Sequence, residues 1–360
     1  MTSLFEPLTL RDVTLRNRII LPPMCMYQAT DGVPNDWHLV HYGARAMGGF
    51  GLLIAEATGV VPEGRISPKC CGLWNDAQRD AWARVVAFVH TQGAAMGIQL
   101  GHAGRKGSVY SELSGQTGTA PVDEGGWETV APSPIAFPGY ATPRELTVAE
   151  IHGIAQAFGA AARRAGEAGF DVIELHAAHG YLLHQFLSPF SNQRTDEYGG
   201  DFAGRTRFLL ETVDAVRAAL SASKPLLVRL SATEWVDGGW DVDDTIRLAG
   251  LLRERGVDFL DISSGGNVSA KITLGPGYQV PLARQVRAGG LPVCAVGLIT
   301  APAQAQAILD EGGIDAIEIG RAALRQPAWP QWAAHVLGVA PDDAPCPPSY
   351  RRGRWPVDKV

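Results

Sequence analysis

The stretch IELHAAHGYLLHQF, residues 173–186, puts His176, His179 and Tyr181 together where a strand-like apolar run gives way to a helix-like one. Three kinds of chemistry use such a group. Two imidazoles three positions apart can share a metal if a third ligand, such as His102 or Glu174, joins them. They can instead donate to one substrate oxygen while Tyr181, a phenol with an ordinary pKa of about 10, stays protonated and delivers a proton. They can also do no more than satisfy a tight turn. No His-Glu-x-x-His and no zinc-finger pair of cysteines is present, which weighs against the metal.

Other polar residues stand where apolar runs end. NRIILPP (17–23) leads into Pro22, Pro23, Met24, Cys25 and Tyr27, and GLLIAEA (51–57) ends at Glu56 and Ala57. AMGIQLG (95–101) carries Gln99, with His102 just beyond, and PLLVRLS (225–231) carries Arg229. A buried charge is costly unless it is paired or meets a ligand, so Gln99 and Arg229 predict a polar, anionic guest. An internal pair of Arg229 with Glu174 is the competing reading. LPVCAVG (291–297) and IDAIEIG (314–320) end in Gly297 and Gly320, the second followed by Arg321. Glycines after the last two strands of a barrel, with an arginine beside a helix start, predict a phosphate cradle; tight turns with a surface arginine are the plainer alternative.

These positions need a scaffold that gathers strand ends on one rim. With FDVIELH (170–176) and VDFLDIS (257–263), the apolar runs number eight, and amphipathic segments such as 75–92, 147–168 and 205–220 separate them. Alternating strands and helices predict parallel pairing, and eight units predict a closed (β/α)8 TIM barrel. An open doubly wound sheet would carry Gly-x-Gly-x-x-Gly after its first strand, and none is present. LTLRDVTLRN reads as an N-terminal hairpin that plugs the barrel floor. Residues 102–146, rich in Gly, Pro and Ser, read as a long lid or binding loop after the third strand. The expected organisation is one barrel over 1–338 and a C-terminal tail over 339–360.

The net charge of −6 offers no basic footprint for nucleic acid. No apolar run reaches the roughly 20 residues of a membrane span, and no secretory signal is visible. Five cysteines, an odd number with Cys70 and Cys71 adjacent, fit reduced thiols, so a cytoplasmic location is expected.

Taken together, HAAHGYLLHQFLSPFSNQRTDEYGG, PPMCMY, IQLGHAGRK and AVGLIT…IGRAAL resemble the Old Yellow Enzyme family of flavin-dependent ene-reductases, in its bacterial xenobiotic-reductase or thermophilic-like branch. The resemblance runs from LFEPLTLRDVTLRNRI to YRRGRW. It implies a noncovalent FMN across the barrel top, lined by Pro22, Pro23, Met24, Cys25 and Ala57. Gln99 would bond its pyrimidine edge, Arg229 would face its N1/O2 region, and Gly297, Gly320 and Arg321 would hold its phosphate. His176 and His179, with Tyr27 assisting, would bind a carbonyl or nitro oxygen, and Tyr181 would donate the proton. NADPH or NADH would supply hydride for an α,β-unsaturated ketone, aldehyde or nitroalkene, by a ping-pong route with trans addition.

The resemblance also implies a homo-oligomer in which a C-terminal arginine enters the neighbouring site. Arg352 is the candidate by position, with Arg351 and Arg354 as rivals. Where relatives often read Ser-x-x-Asn-Arg after EYGG, this chain has Asp201 to Arg205, and Asp201 can cap a helix equally well. Two rival functions remain open from residues alone: another FMN barrel of the tRNA-dihydrouridine-synthase kind, and a metal hydrolase using His102, His176 and His179.

Overall fold

The computed structural model describes residues 3–355. The chain begins with an antiparallel hairpin, β1 (Leu8–Leu10) and β2 (Val13–Leu15). Each of the eight predicted runs then forms a strand. They are β3 (Ile19–Leu21), β4 (Leu52–Gly59) and β5 (Ala95–Gly101), followed beyond a two-residue parallel pair, β6 (Val130–Ala131) and β7 (Arg144–Glu145), by β8 (Val172–Ala177). The ring continues with β9 (Leu226–Ser231), β10 (Phe259–Ser263), β11 (Val293–Ala295) and β12 (Ala316–Glu318). All neighbours pair in parallel, and β12 closes on β3 with Ile317 opposite Ile19. This is a (β/α)8 TIM barrel.

Helices α1 (Asp36–Met47), α2 (Asp76–Thr91), α3 (Val148–Ala168), α4 (Leu182–Leu187) and α5 (Phe202–Ala219) cover the first half of the ring. The second half has α6 (Val242–Glu254), α7 (Val280–Val286), α8 (Pro302–Asp310), α9 (Arg321–Arg325) and α10 (Trp329–Val336). Their ends follow from local chemistry. Thr147 accepts from the Glu150 amide at 3.3 Å and Glu150 accepts from the Thr147 amide at 2.8 Å, closing a capping box. Gly169 ends that helix at φ +96°, a conformation that costs a glycine nothing. Asp201 caps α5 by accepting from the Gly204 amide at 2.9 Å.

Strand alternation sorts the side chains into two cores. Ile19, Leu21, Leu53, Ile173 and Val228 face the helices in the larger cluster. Ile20, Leu52, Ile54, Val172, Leu227, Phe259 and Ala316 fill the lower barrel, and Leu10 and Leu15 of the hairpin pack against them from below. The hairpin is therefore the floor that the sequence predicts. Polar residues stand above this apolar layer, and that order places the chemistry at the opposite rim.

The segment 102–146 contains little regular structure beyond β6, β7 and three single turns, Gly104–Lys106, Glu112–Ser114 and Val122–Glu124. Arg105 ties it down, donating to the Ile135 carbonyl at 3.0 Å and the Asn267 carbonyl at 2.7 Å. In the tail, residues 348–353 form a 3-10 turn, and the expected end at residue 360 lies outside the described residues.

Candidate active site

β8 delivers His176 from its own hydrogen-bonded ladder, where it stands opposite Arg229 of β9. The chain then turns sharply. His179 takes φ +58°, and Gly180 takes φ +75° with the Gly266 carbonyl only 2.3 Å from where a Cβ would sit. That crowding admits glycine alone and directs the next residue, Tyr181, to the start of α4. The rings of His176 and His179 lie 5.2 Å apart between centroids, and His176 and Tyr181 lie 4.8 Å apart. The proposed trio is thus one contiguous group.

The hydrogen bonds set its tautomers. The Ala178 amide donates to His176 Nδ1 at 3.3 Å, so a neutral ring carries its proton on Nε2. His179 Nε2 lies 2.7 Å from the Ser263 hydroxyl. Burial, then the nearby Arg229 charge, pushes both imidazoles well below their ordinary range, so both are neutral at pH 7. Burial, then Cys25 and Tyr27, pushes Tyr181 well above its ordinary range and keeps the phenol protonated.

Burial likewise depresses His41 to about 3, His102 to about 4 and His184 to about 3. Unfolded, these five imidazoles take up protons near pH 6.5. Folded, they stay neutral, so the unfolded state binds more protons below that pH and stability falls as pH falls through it. The expected outcome is a thermal midpoint that drops from pH 7 to pH 5, each histidine contributing up to about 1.4 kcal/mol per pH unit. The buried carboxyls of Glu174, Asp261 and Glu318, pushed upward mainly by burial, act with the opposite sign. With three groups against five, a midpoint that rises on acidification to pH 5 would contradict the assignment of neutral buried imidazoles.

Arg229 corrects an expectation. Its internal partner is not Glu174. Its Nε lies 2.8 Å from Asp261 Oδ2 and one terminal nitrogen lies 3.4 Å from Glu318 Oε2. The Asp261 contact is an ion pair too far out of line to count as a hydrogen bond. Glu174 instead accepts from Gln99 Nε2 at 2.8 Å. The reason is register: Asp261 on β10 sits directly opposite Arg229, whereas Glu174 sits opposite Leu227. Burial works against the guanidinium charge, but Asp261 and Glu318 outweigh it and hold Arg229 protonated.

Glu56 stands near the end of β4. A register shift in β4 between Ala55 and Thr58 turns it outward, beneath α1. There its Oε1 lies 3.2 Å from His38 Nε2, and its Oε2 accepts from the Met26 amide at 3.2 Å. It braces the loop that carries Cys25 and Tyr27.

Two pockets collect most of the predicted residues. The first, of about 330 Å³, is lined by Pro22, Pro23, Met24, Arg229, Gly297, Gly320 and Arg321, with Ser263, Tyr278 and Gln279 across from them. At Gly297, φ is +119° and a Cβ would meet Gln279 and Tyr278 at 3.0 Å. Arg321 is exposed and makes no hydrogen bond or ion pair among the described residues. The second pocket is small and joins Ala57, His102, His176 and Tyr181, and Cys25 and Tyr27 pack on the same cluster. Gln99 lies deeper, at Glu174. Arg352 is apart from both pockets: exposed, it lines a cavity formed by α10 and the tail.

A pocket that combines a buried arginine with an exposed, unpaired arginine beside two glycines suits a planar ring system joined to a phosphate. That composition decides between guests, and the comparisons agree with it. The profile of the NADH:flavin oxidoreductase / NADH oxidase family matches residues 3–338. The chain belongs to this family. It is 47% identical over 356 residues to the NADPH dehydrogenase of Geobacillus thermodenitrificans, covering 98% of each chain. Among solved structures, morphinone reductase superposes with a TM-score of 0.78 at 32% identity, over 97% of this chain and 93% of the other. The Old Yellow Enzyme homologue from Zymomonas mobilis gives 0.77 at 30% identity, over 98% and 99%. The protein is an NAD(P)H:flavin oxidoreductase of the Old Yellow Enzyme type, with noncovalent FMN as cofactor and NAD(P)H as electron donor.

His102, His176 and His179 do not converge as a ligand set. Among the described residues, the groups whose ligand atoms approach one another are His38, Glu56, Cys71 and Asp261, Cys294, Glu318. His102 Nδ1 accepts from the Gly104 amide at 3.0 Å. No helix among the described residues is long and apolar enough to cross a membrane.

Sequence reasoning missed three contributors. Lys106 donates to the carbonyls of His179 and Gly266 at 2.8 and 2.9 Å and sits 5.2 Å from the Tyr181 ring centre. Ser263 holds His179, and Asp261 holds Arg229. A carboxylate in the middle of VDFLDIS was the available signal for the last, because strand centres rarely carry an unpaired charge.

Proposed function

We propose that the enzyme reduces the activated C=C bond of α,β-unsaturated ketones, aldehydes or nitroalkenes. The observation that carries this is the contiguous trio of two neutral imidazoles and a protonated phenol beside the Ala57 wall. When bound, FMN would supply the hydride chemistry that links NAD(P)H to the second substrate in a ping-pong sequence.

The residues act on the substrate oxygen and on one proton. His176 Nε2–H donates to the carbonyl or nitro oxygen. His179 provides the second donor from Nδ1 when the Ser263 hydroxyl, which donates to Gln279 Oε1 at 3.3 Å, turns its proton to His179 Nε2. Two preplaced donors stabilise the charge that builds on that oxygen, and such preorganisation is usually the largest catalytic contribution. Tyr27 closes the same pocket from the loop after β3. Tyr181 donates its proton to the α-carbon from the face opposite hydride delivery, giving net trans addition. Lys106 fixes both the His179 carbonyl and the Tyr181 ring.

Pro22, Pro23, Met24, Cys25 and Ala57 would line the flavin, and Gln99 would hold its pyrimidine edge. Arg229 would stabilise negative charge on its ring, and Gly297, Gly320 and Arg321 would hold the phosphate. Residues 1–338 form the functional unit, with 102–146 walling the substrate side. Arg352, exposed and outside its own site, serves the site of a second copy in a homo-oligomer.

The decisive experiment bleaches the yellow holoenzyme with NADPH under anaerobic conditions and then adds 2-cyclohexenone. Return of the visible absorbance with formation of cyclohexanone supports the reading. Absorbance that returns only with oxygen sinks it. Sedimentation of wild type, with an Arg352→Ala variant that keeps its assembly but weakens substrate binding, checks the second-copy role.

A further inference from the structure

Three buried carboxyls stand around one guanidinium inside the barrel. Glu174 comes from β8, Asp261 from β10 and Glu318 from β12, none more than 1% exposed, and Arg229 comes from β9. Arg229 Nε lies 2.8 Å from Asp261 Oδ2, and a terminal nitrogen lies 3.4 Å from Glu318 Oε2. One oxygen of each of these two acids and the Cys294 sulfur of β11 lie within 4.8 Å of one another. Arg229 already fills the place that a cation would take there. β3 adds no charge, because Ile20 stands opposite Glu318. Arg229 and Glu318 both line the pocket of Gly297, Gly320 and Arg321.

The charges do not balance if every acid is ionised. Three carboxylates against one guanidinium would leave two negative charges uncompensated and out of water, which is costly. Nor are the oxygens satisfied. Among the described residues no donor serves Asp261 Oδ1, Glu318 Oε1 or Glu174 Oε2. A proton on one carboxyl turns an orphan acceptor into a donor, and a neighbouring carboxylate gives that donor a partner. We propose that Glu318 is a positioning residue of the cofactor pocket, its carboxyl sharing one proton with that of Asp261 so that the pair presents Arg229 with a single negative charge and leaves the guanidinium its hold on an anionic guest.

Two carboxyls in one dry site resist joint ionisation. Burial, then Asp261, pushes Glu318 well above the carboxylate range, and burial raises Asp261. Burial, then Asp261, pushes Glu174 up to about 8, so that it is neutral at pH 7 while it accepts from Gln99. Burial also keeps the Cys294 thiol protonated. The cluster therefore carries one positive and one negative charge. Loss of the shared proton at alkaline pH adds a negative charge beside Arg229 and disfavours an anion in the pocket. Glu174 titrates as well, in wild type and variant alike, so a Glu318 variant isolates the shared proton. The effect on the cofactor rests on the reading of this pocket as the flavin site, whereas the shared proton does not.

The test titrates holoenzyme, labelled with carbon-13 at its aspartate and glutamate side-chain carboxyls, from pH 6 to pH 10 by NMR. The flavin potential is measured over the same range. Glu318→Gln and Asp261→Asn assign the two resonances. In wild type these are expected to shift together in one titration, and in Glu318→Gln the Asp261 carboxyl should stay ionised throughout. On the alkaline side of that titration, Glu318→Gln should favour the reduced over the oxidised cofactor at least about tenfold more than wild type does, about 30 mV for two electrons. The difference should close toward pH 6. Glu318→Leu takes its place if the glutamine variant folds poorly. Both carboxyls ionised at pH 7, either one titrating alone, or no titration below pH 10 would overturn the shared proton. A joint titration with equal potentials at every pH would overturn the action through Arg229 and place the fault in the reading of the pocket.

Discussion

Tyr181→Phe will leave anaerobic bleaching of the flavin by NADPH near the wild-type rate while slowing its reoxidation by an enone about 10²- to 10⁴-fold, the usual worth of a positioned general acid. The asymmetry arises because hydride transfer from the nicotinamide needs no proton from the phenol, whereas protonation of the α-carbon does. Phenylalanine keeps the ring that packs 4.8 Å from His176 and beneath Lys106, so the geometry of the pocket is retained. Stopped-flow measurement of the two half-reactions reads the difference. Equal slowing of both would remove Tyr181 from the role of acid and make it a packing residue.

Arg229→Gln will destabilise the protein by about 3–5 kcal/mol, the usual cost of removing one partner from a buried ion pair. It will also empty the flavin site. The substitution takes away the cation that faces Asp261 and Glu318, leaving Asp261 Oδ1 and Glu318 Oε1, which already lack a hydrogen-bond partner, without any compensating charge. Some of the loss is recoverable, because Asp261 and Glu318 can take up protons, and the variant should therefore be less impaired at pH 5 than at pH 8. Thermal unfolding across that range, with flavin content from the visible spectrum, checks both statements. A variant as stable and as yellow as wild type would show that the guanidinium contributes neither packing nor cofactor binding.

The contrast between Arg229 and the histidine trio shows what a linear sequence discloses. His176, His179 and Tyr181 were legible because one strand and one turn carry all three, so local periodicity places them together. The eight strands were legible for the same reason, each being a short run of Val, Ile and Leu. Arg229 was legible as a buried charge, but its partners were not. Asp261 and Glu318 arrive from strands one and three places along the ring, and which residues stand opposite depends on register, which no local pattern fixes. The outward turn of Glu56 was not legible, because a register shift in β4 breaks strand alternation. Gly297 and Gly320 were readable as glycines after strands, and the structure adds that Gly297 is required by its dihedral and by the crowding of Tyr278.

The seam between β3 and β12 has a consequence for synthesis of the enzyme. Ile317 leaves the ribosome almost 300 residues after the Ile19 it pairs with. Until then the first strand of the ring exposes a bare edge, the floor hairpin lacks Ala316 beneath the interior, and Arg229 has not met Glu318. Such distant pairing makes maturation slow and leaves the nascent chain vulnerable to sticking to its neighbours. Flavin therefore finds its binding residues assembled only once β12 has emerged, and a shortage of the vitamin should show itself as half-made protein lost to aggregation or proteolysis.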